Sequence, residues 1–453
     1  MKVIVVGNGK VGNSLIEQLQ SEGHDITVID KKISNLEDLN NKSDVLCING
    51  DGINEAVLTE AGVKDSDLLI AVTSSDELNI VCCMLSKRLG VKNVVARIRG
   101  KEYAKQRDFI KRNLNIDYAI NPELRTANEI ANQFKFIGNF KIDTLSKGLV
   151  DVLSFRIEEG NKLIDLKLSE IYKNYSIKML VCAVERENEV FVPSGDFKLE
   201  KGDMLHLISS NKEIPKIVGI IDSSEQITSN VVIVGGGKIS YYLCNELIKM
   251  GLDIKVIDSD IHVCEELAEL LPQVTIICGD ATNQTLLEEE GILNTDAFVS
   301  LTGNDEINII LSLYAKTQNI NKVITKVNQP TYLQLVKKIG LDNVFTPRDV
   351  ITGSILKYVR SIKNKGQISA DSVHRIVSNK VEALEFKINE TFNYTDIPLK
   401  DLKLEKGIII AGVVRDGQFI IADGNLSLKH FDTIIVIAIK KRITNLNDIL
   451  GGN

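Results

Sequence analysis

The chain lacks several features that would place it in common functional classes. Its seven cysteines, Cys47, Cys82, Cys83, Cys182, Cys244, Cys264 and Cys278, form no C-x-x-C pair and mostly sit in apolar stretches. Buried thiols in a reducing compartment are expected, not a disulfide framework. The five histidines, His24, His206, His262, His374 and His430, show no metal-ligand spacing and are expected to be structural or surface residues. The longest apolar runs, such as "GIIIAGVV" and "TIIVIAI", fall well short of the roughly 20 residues a membrane helix needs. There is no excess of positive charge: 54 Lys and Arg against 61 Asp and Glu give a net charge of −7. That balance argues against a nucleic-acid partner. A strand pattern begins at Lys2, so no signal peptide is expected ahead of the fold. The expectation is a cytoplasmic protein whose membrane role, if it has one, comes through a partner.

What is present is a tandem repeat. Displacing the chain by 228 positions sets Val3 on Val231, Gly7 on Gly235, Gly9 on Gly237, Lys10 on Lys238 and Asp30 on Asp258. One inserted residue moves the offset to 229, where Asp51 meets Asp280, Asp76 meets Asp305, Glu77 meets Glu306 and Asn79 meets Asn308. The likeness continues from "FRIEEGNKLIDLKLSEI" to "FKINETFNYTDIPLKDL", and from "FVPSGDFKLEKGDMLHLI" to "IIADGNLSLKHFDTIIVI". The order is A–B–A′–B′. Expected boundaries are 1–120 for the first α/β lobe, 121–148 for a linker helix and 149–225 for a small lobe. The second set is 228–346, 347–371 and 372–453.

Part A alternates short apolar runs ("KVIVVG", "DITVID", "VLCINGD", "DLLIAVT", "NVVARI") with amphipathic helical segments. This predicts a doubly wound parallel sheet of the Rossmann type. Part B has short alternating strands broken by "PSGD" and "EKGD", which predicts a small α+β or mostly β lobe. "NPELRTANEIANQFKF" and "TPRDVITGSILKYVRS" each place a proline near a helix start and read as helices leading out of part A.

In "GNGKVG", Gly7, Gly9 and Gly12 form G-x-G-x-x-G between a predicted strand and a predicted helix. The first glycine permits the tight turn, the second lets a pyrophosphate approach the backbone, and the third allows close helix–strand packing. The helix start offers free N–H groups and a positive dipole end to phosphate. Asp30 follows at the end of the second strand, where a carboxylate accepts hydrogen bonds from a ribose diol and repels a 2′-phosphate. NAD(H) or an adenosine nucleotide is therefore favoured over NADP; a turn retained only for packing is the alternative. Thr73 and Ser74 are expected to cap the next helix and to face the ligand crevice. Arg97, at the end of "NVVAR", is expected to point toward the phosphates, with Lys326 as its repeat partner. The basic run "RIRGKEYAKQRDFIKR" is expected to be a solvated helix face. Parts B and B′ show no obvious paired carboxylates or nucleophile–base set, which favours sensing over turnover.

These residues and their order resemble the TrkA family, tandem RCK (regulator of potassium conductance) proteins that serve as peripheral nucleotide-binding subunits of bacterial Trk potassium-uptake systems. The likeness spans essentially the whole chain. It implies two Rossmann lobes, each followed by a small RCK C-terminal lobe, with no catalytic residues and no metal. It also implies a homo-oligomer, a tetrameric ring, on the cytoplasmic face of a TrkH-type membrane subunit. Carried over by position, the first site uses Gly7, Asn8, Gly9, Lys10, Val11, Gly12, Asp30, Asp51, Thr73, Ser74 and Arg97. The second uses Gly235, Gly236, Gly237, Lys238, Ile239, Asp258 and Thr302. NAD or NADH is the implied ligand, with ATP or ADP possible at the same sites. The second copy departs at Ser240, which stands where the first has Gly12, and at Lys326 and Asn328, which stand for Arg97 and Arg99. A second site that binds more weakly or with different selectivity is expected. A regulatory subunit of another potassium transporter or antiporter, and an NAD-dependent oxidoreductase, remain the competing readings.

Overall fold

A computed structural model describes residues 1–40, 44–100, 103, 113–135, 140–175, 177–187, 189–221, 229–363, 372–377, 380–390, 392–439, 443 and 445–450. They divide into two compact units, Met1–Asn128 with Thr346–Val359, and Glu129–Phe345 with Arg360–Asn453.

The first unit holds strands β1 (Lys2–Val6), β2 (Asp25–Asp30), β3 (Leu46–Asn49), β4 (Leu68–Ala71), β5 (Asn93–Arg97) and β6 (Tyr118–Ile120). They form one sheet in the order β3-β2-β1-β4-β5-β6, every pairing parallel. Helices α1 (Lys10–Ser21), α2 (Ile33–Asn40), α3 (Glu55–Glu60) and α4 (Asp76–Leu89) make the crossovers. Val3 to Val6 and Leu68 to Ala71 are buried throughout, as strands covered on both faces require. The order reverses beside β1, so the carboxyl ends of β1 and β4 open a crevice there. Helix α5 (Pro122–Asn132) leads out of this sheet. Tyr118 on β6 stacks on Tyr358, with ring centroids 4.9 Å apart and planes at 10°. Tyr358 belongs to the segment Thr346–Val359, so part of the second repeat's exit helix packs into the first unit.

The second unit contains three sheets. Strands β7 (Lys141–Leu145), β8 (Val150–Arg156), β9 (Met179–Arg186), β10 (Glu189–Phe191) and β11 (Met204–Ser210) form an antiparallel sheet in the order β10-β9-β11-β8-β7. It carries helices α6 (Leu168–Tyr175) and α7 (Ile214–Ile221). Strands β12 (Asn230–Val234), β13 (Asp253–Asp258), β14 (Thr275–Cys278), β15 (Ala297–Ser300), β16 (Lys322–Lys326) and β17 (Val344–Phe345) repeat the parallel order as β14-β13-β12-β15-β16-β17. Their helices are α8 (Lys238–Lys249), α9 (Ile261–Leu270), α10 (Gln284–Glu289), α11 (Asp305–Thr317) and α12 (Pro330–Lys338), followed by α13 (Pro347–Lys363). Strands β18 (Ser372–Val377), β19 (Val381–Lys387), β20 (Ile408–Arg415), β21 (Gln418–Ile421) and β22 (Thr433–Ile439) form a second antiparallel sheet, β18-β19-β22-β20-β21.

The two small sheets pack face to face. On β8, Val150 and Val152 join Val381, Ala383, Ile435 and Ile437 of the other sheet, while Leu153 and Phe155 join Leu168, Ile171 and Ile217 beneath their own helices. Alternate residues thus bury on opposite faces, which is why this strand has no exposed side. The contact includes a polar link, the Ser146 amide donating to the Glu385 carboxylate at 2.9 Å. The repeat also survives in side-chain brackets. Arg186 grips Asp203 at 2.8 Å through both Nε and Nη2, and Arg415 grips Asp432 at 2.9 and 2.7 Å.

Two details differ from the sequence reading. β7 lies within 121–148, the span expected to be linker helix, so the first small sheet already begins at Lys141. The short sixth strands β6 and β17 were not anticipated; at three and two residues they carry almost no periodic signal. Of the basic run 97–112, residues 101–102 and 104–112 lie outside the described residues.

Candidate nucleotide sites in the two parallel lobes

In the first lobe the turn after β1 is fixed by its glycines. Gly7 has φ +102°, a conformation L side chains rarely adopt, and its amide donates to the Ile29 carbonyl at 2.8 Å. A Cβ on Gly12 would lie 2.0 Å from the Gly7 oxygen, so helix α1 approaches the turn only because no side chain intervenes. Gly9 is the N-cap of α1, with no side-chain cap and nothing within 4 Å of where its Cβ would stand. The first-turn amides of Lys10 and Val11 therefore present an open, positively polarised end.

Asp30 organises this turn. Its Oδ2 accepts the Asn8 amide at 2.6 Å, and its Oδ1 accepts the Lys32 amide at 2.8 Å and Asn35 Nδ2 at 3.3 Å. Asn8 Nδ2 donates to the Asn35 carbonyl at 2.7 Å. The other end of that amide, Asn8 Oδ1, is buried with no hydrogen-bond partner among the described residues. Asp51, at the end of the next loop, forms an exposed ion pair with Lys31 at 2.8 Å.

Across the crevice, Asn79 ties three elements together. Its Oδ1 accepts the Thr73 amide at 2.9 Å and the Thr73 hydroxyl at 2.7 Å, while its Nδ2 donates to the Thr73 and Arg97 carbonyls at 3.2 and 2.9 Å. The Thr73 hydroxyl is thus committed to the interior, and Ser74 is exposed. Neither caps α4: the cap is Ser75, whose Oγ accepts the Leu78 amide at 3.1 Å. Asp76 does more than favour the helix dipole, because its Oδ2 accepts the Arg99 and Gly100 amides at 2.7 Å each and holds the chain leaving β5. Arg97 folds back, its Nη2 donating to the Thr73 carbonyl. Its Nε is buried without a partner among the described residues, and burial, then the neighbouring Arg99, lowers its pKa from the ordinary value.

The second lobe reproduces this frame with altered contents. Gly235 has φ +100°, Gly237 caps α8, and Asp258 Oδ2 accepts the Gly236 amide at 2.6 Å. Lys238 is exposed and Ile239 half-buried on the first turn of α8. Asn308 bonds Thr302 and the Lys326 carbonyl as Asn79 bonds their counterparts. Ser240 is fully buried and its hydroxyl donates to the Gly235 carbonyl, the counterpart of the Gly7 oxygen that a Cβ on Gly12 would meet. The Asn8–Asn35 pair becomes Gly236 and Val263, and a Cβ on Gly236 would stand 2.7 Å from Val263. Lys326 Nζ reaches the Leu301 carbonyl at 3.0 Å. None of these second-lobe positions leaves a buried polar atom without a partner among the described residues.

Repeat comparison marked Asn79 and Asn308 as matched, but only the structure shows them as the clamp across β4, β5 and α4. The signal available was a buried-type helix position holding the same amide in both copies. Among the described residues no group of His, Cys, Asp and Glu is arranged to hold a metal, and no helix is long and apolar enough to cross a membrane.

Comparison with known proteins bears on this frame directly. Residues 3–122 and 231–347 match the TrkA-N domain, and residues 152–221 and 383–451 match the TrkA-C domain. The Trk system potassium uptake protein TrkA of Halomonas elongata is 31% identical over 446 residues, covering 98% of this chain and 96% of that protein. The chain belongs to the TrkA family. A TrkA homolog from Archaeoglobus fulgidus is 30% identical over 452 residues, covering 99% of this chain and all of its own. Among solved structures, this TrkA-family chain matches the GsuK RCK domain with a TM-score of 0.62 at 15% identity, over 97% of this chain and 92% of that one. It matches the GsuK channel bound to NAD with a TM-score of 0.61 at 15% identity, over 97% and 76%. At that identity the likeness shows the shared RCK fold: two parallel lobes, each followed by an antiparallel one.

Proposed function

We propose that this chain is the regulatory subunit of a potassium uptake system, binding NAD, NADH or an adenine nucleotide and catalysing no reaction. It sits on the cytoplasmic face as a homo-oligomer, a tetrameric ring, and gates a TrkH-type membrane subunit. The relatives' names support the potassium role, and GsuK, a channel solved with NAD and with ADP, shares the fold. The observation that carries nucleotide binding is that two of the buried first-lobe atoms without a partner among the described residues, Asn8 Oδ1 and Arg97 Nε, belong to the glycine turn and to the end of β5, at the crevice. Buried polar groups are almost always satisfied, so a donor and an acceptor left open at the carboxyl edge of a parallel sheet call for a polar ligand.

In this reading Gly7, Gly9 and the Lys10 and Val11 amides cradle the phosphates, Asp30 takes the ribose hydroxyls, and Arg97 neutralises phosphate charge. Gly235, Gly237, Lys238, Ile239 and Asp258 do the same in the second lobe. Thr73 and Thr302 shape the crevice floor through their asparagines. Gating follows as a population shift, since ligand moves a ring between states only by binding one of them more tightly.

The test is nucleotide titration beside potassium flux in vesicles carrying the membrane subunit. Asp30→Ala removes a charged acceptor and is expected to weaken nucleotide binding roughly 10- to 100-fold. Flux should lose its nucleotide response in parallel. Weakened binding with an unchanged flux response would end the gating claim.

A further inference from the structure

We infer that Cys264 and Cys278 form a reversible redox pair at the rim of the second nucleotide crevice, closing to a disulfide under hydroperoxide. The consequence for ligand rests on the nucleotide reading given above; the thiol pair does not.

The two cysteines come from different elements, Cys264 from α9 and Cys278 from the end of the edge strand β14. Cys278 is the register partner of Asp258, the acid that holds the Gly236 amide. Ile277 packs against the cluster containing Ile257 and Leu287 on one face of the sheet. Alternation then brings Cys278 out on the opposite face, where α9 packs. There the Cys264 sulfur lies 3.4 Å from the Asp258 carbonyl and 3.8 Å from that of Ile277, with the Cys278 thiol beside it. Cys278 is exposed, whereas Cys264 is 5% exposed. Burial, together with its neighbour Cys278, pushes the Cys264 thiol up to about 11.

This is the arrangement of an accessible attacking sulfur and a sheltered resolving one. As thiolate, Cys278 attacks one oxygen of hydrogen peroxide. The O–O bond breaks, the departing hydroxide takes up the thiol proton as water, and Cys278 becomes a sulfenic acid. The Cys264 sulfur then attacks that sulfur, the S–O bond breaks, and the oxygen leaves with the Cys264 proton as a second water. One peroxide is reduced and two thiols are oxidised. A dithiol reverses the step by exchange.

The remaining thiols are differently placed. Cys82, Cys83, Cys182 and Cys244 are buried, which pushes each thiol up, and the half-buried Cys47 has its sulfur 3.9 Å from the Leu36 carbonyl. The first lobe cannot form the same link, because Leu36 and Asn49 stand at the matching positions and Asn49 Nδ2 bonds the Asp30 and Lys31 carbonyls instead. Since Val263 and Leu267 of α9 border Gly236, a bond from α9 to β14 acts on the wall of the second crevice alone.

The experiment uses the full chain carrying Asp30→Ala, so that the second lobe dominates binding. After hydrogen peroxide and alkylation, digestion without reductant should give a peptide joining Cys264 to Cys278, lost with dithiothreitol and absent in Cys278→Ser. NADH affinity should change by about fivefold or more on oxidation, return on reduction, and stay constant in Cys278→Ser. Oxidation of Cys278 without the joined peptide overturns the pair. A joined peptide with unchanged NADH affinity overturns its link to the crevice. Failure of the reduced chain to bind NADH overturns the nucleotide reading of this lobe, and the coupling with it, while the joined peptide still decides the disulfide.

Discussion

A methyl group on Gly12 would meet the Gly7 carbonyl oxygen at 2.0 Å, yet Ser240 occupies the matching place in the second lobe and bonds the matching carbonyl. The backbone of the second turn admits a Cβ where that of the first does not, and the Ser240 hydroxyl then bonds the carbonyl. Gly12→Ala is therefore expected to force the first turn open and destabilise its lobe by about 1–3 kcal/mol. Ser240→Ala, which keeps a tolerated carbon and loses one buried hydrogen bond, should cost about 1 kcal/mol. Urea unfolding of the two variants checks the order; equal effects would refute it. At this same scale the glycine pattern and its acid were legible in the sequence, because positive φ and strand-end position depend on close neighbours. The fates of the Thr73 hydroxyl and the Arg97 guanidinium were not, since Asn79 and the Thr73 carbonyl reach them from other elements.

Elements are joined by a few buried polar side chains. Lys322 opens β16, is 1% exposed, and its Nζ donates to the Gln133 carbonyl in the turn after α5. Gln133 in turn exchanges hydrogen bonds with Ile142 of β7 at 2.8 and 2.9 Å. Burial lowers the Lys322 pKa to about 7. Above its unfolded value near 10.4 the amine is neutral in both states and carries no charge penalty. As pH falls from there toward 7, the unfolded chain binds the proton first, so this group's contribution to stability declines until it levels off below about 7. Lys322→Met should flatten that dependence, removing up to about 1.4 kcal/mol per pH unit between roughly pH 7 and 9. Denaturant midpoints of both proteins across this range provide the measurement, and parallel pH curves would count against it. Periodicity placed the long elements well. It missed β7 and the sixth strands, whose short runs are decided by the sheet edge they join.

At the scale of the whole molecule, the repeat is not two closed halves laid end to end. Thr346–Val359 belongs with the first unit, where Tyr358 stacks on Tyr118. A stacked pair contributes about 0.5–1.5 kcal/mol beyond area burial. Tyr358→Ala should therefore speed amide exchange in β5 and β6 several-fold, roughly as 1 kcal/mol of local stability implies, and leave β15 and β16 unchanged. Equal acceleration in both parallel sheets would argue against this assignment. The two small sheets share a core, so that their strands bury both faces.

By itself the sequence determined the fourfold order of lobes, the parallel and strand-rich classes, and the position of each glycine turn with its acid. Those features follow from hydrophobic period and backbone sterics, which act over a few residues and leave their mark in each copy. Tertiary structure alone decided where Ser240, Arg97 and Asn79 direct their polar groups and which lobe receives the second exit helix. It also decided that Cys264 and Cys278 meet beside Asp258. Each of these depends on side chains that are distant along the chain and adjacent only once the sheets and helices are packed.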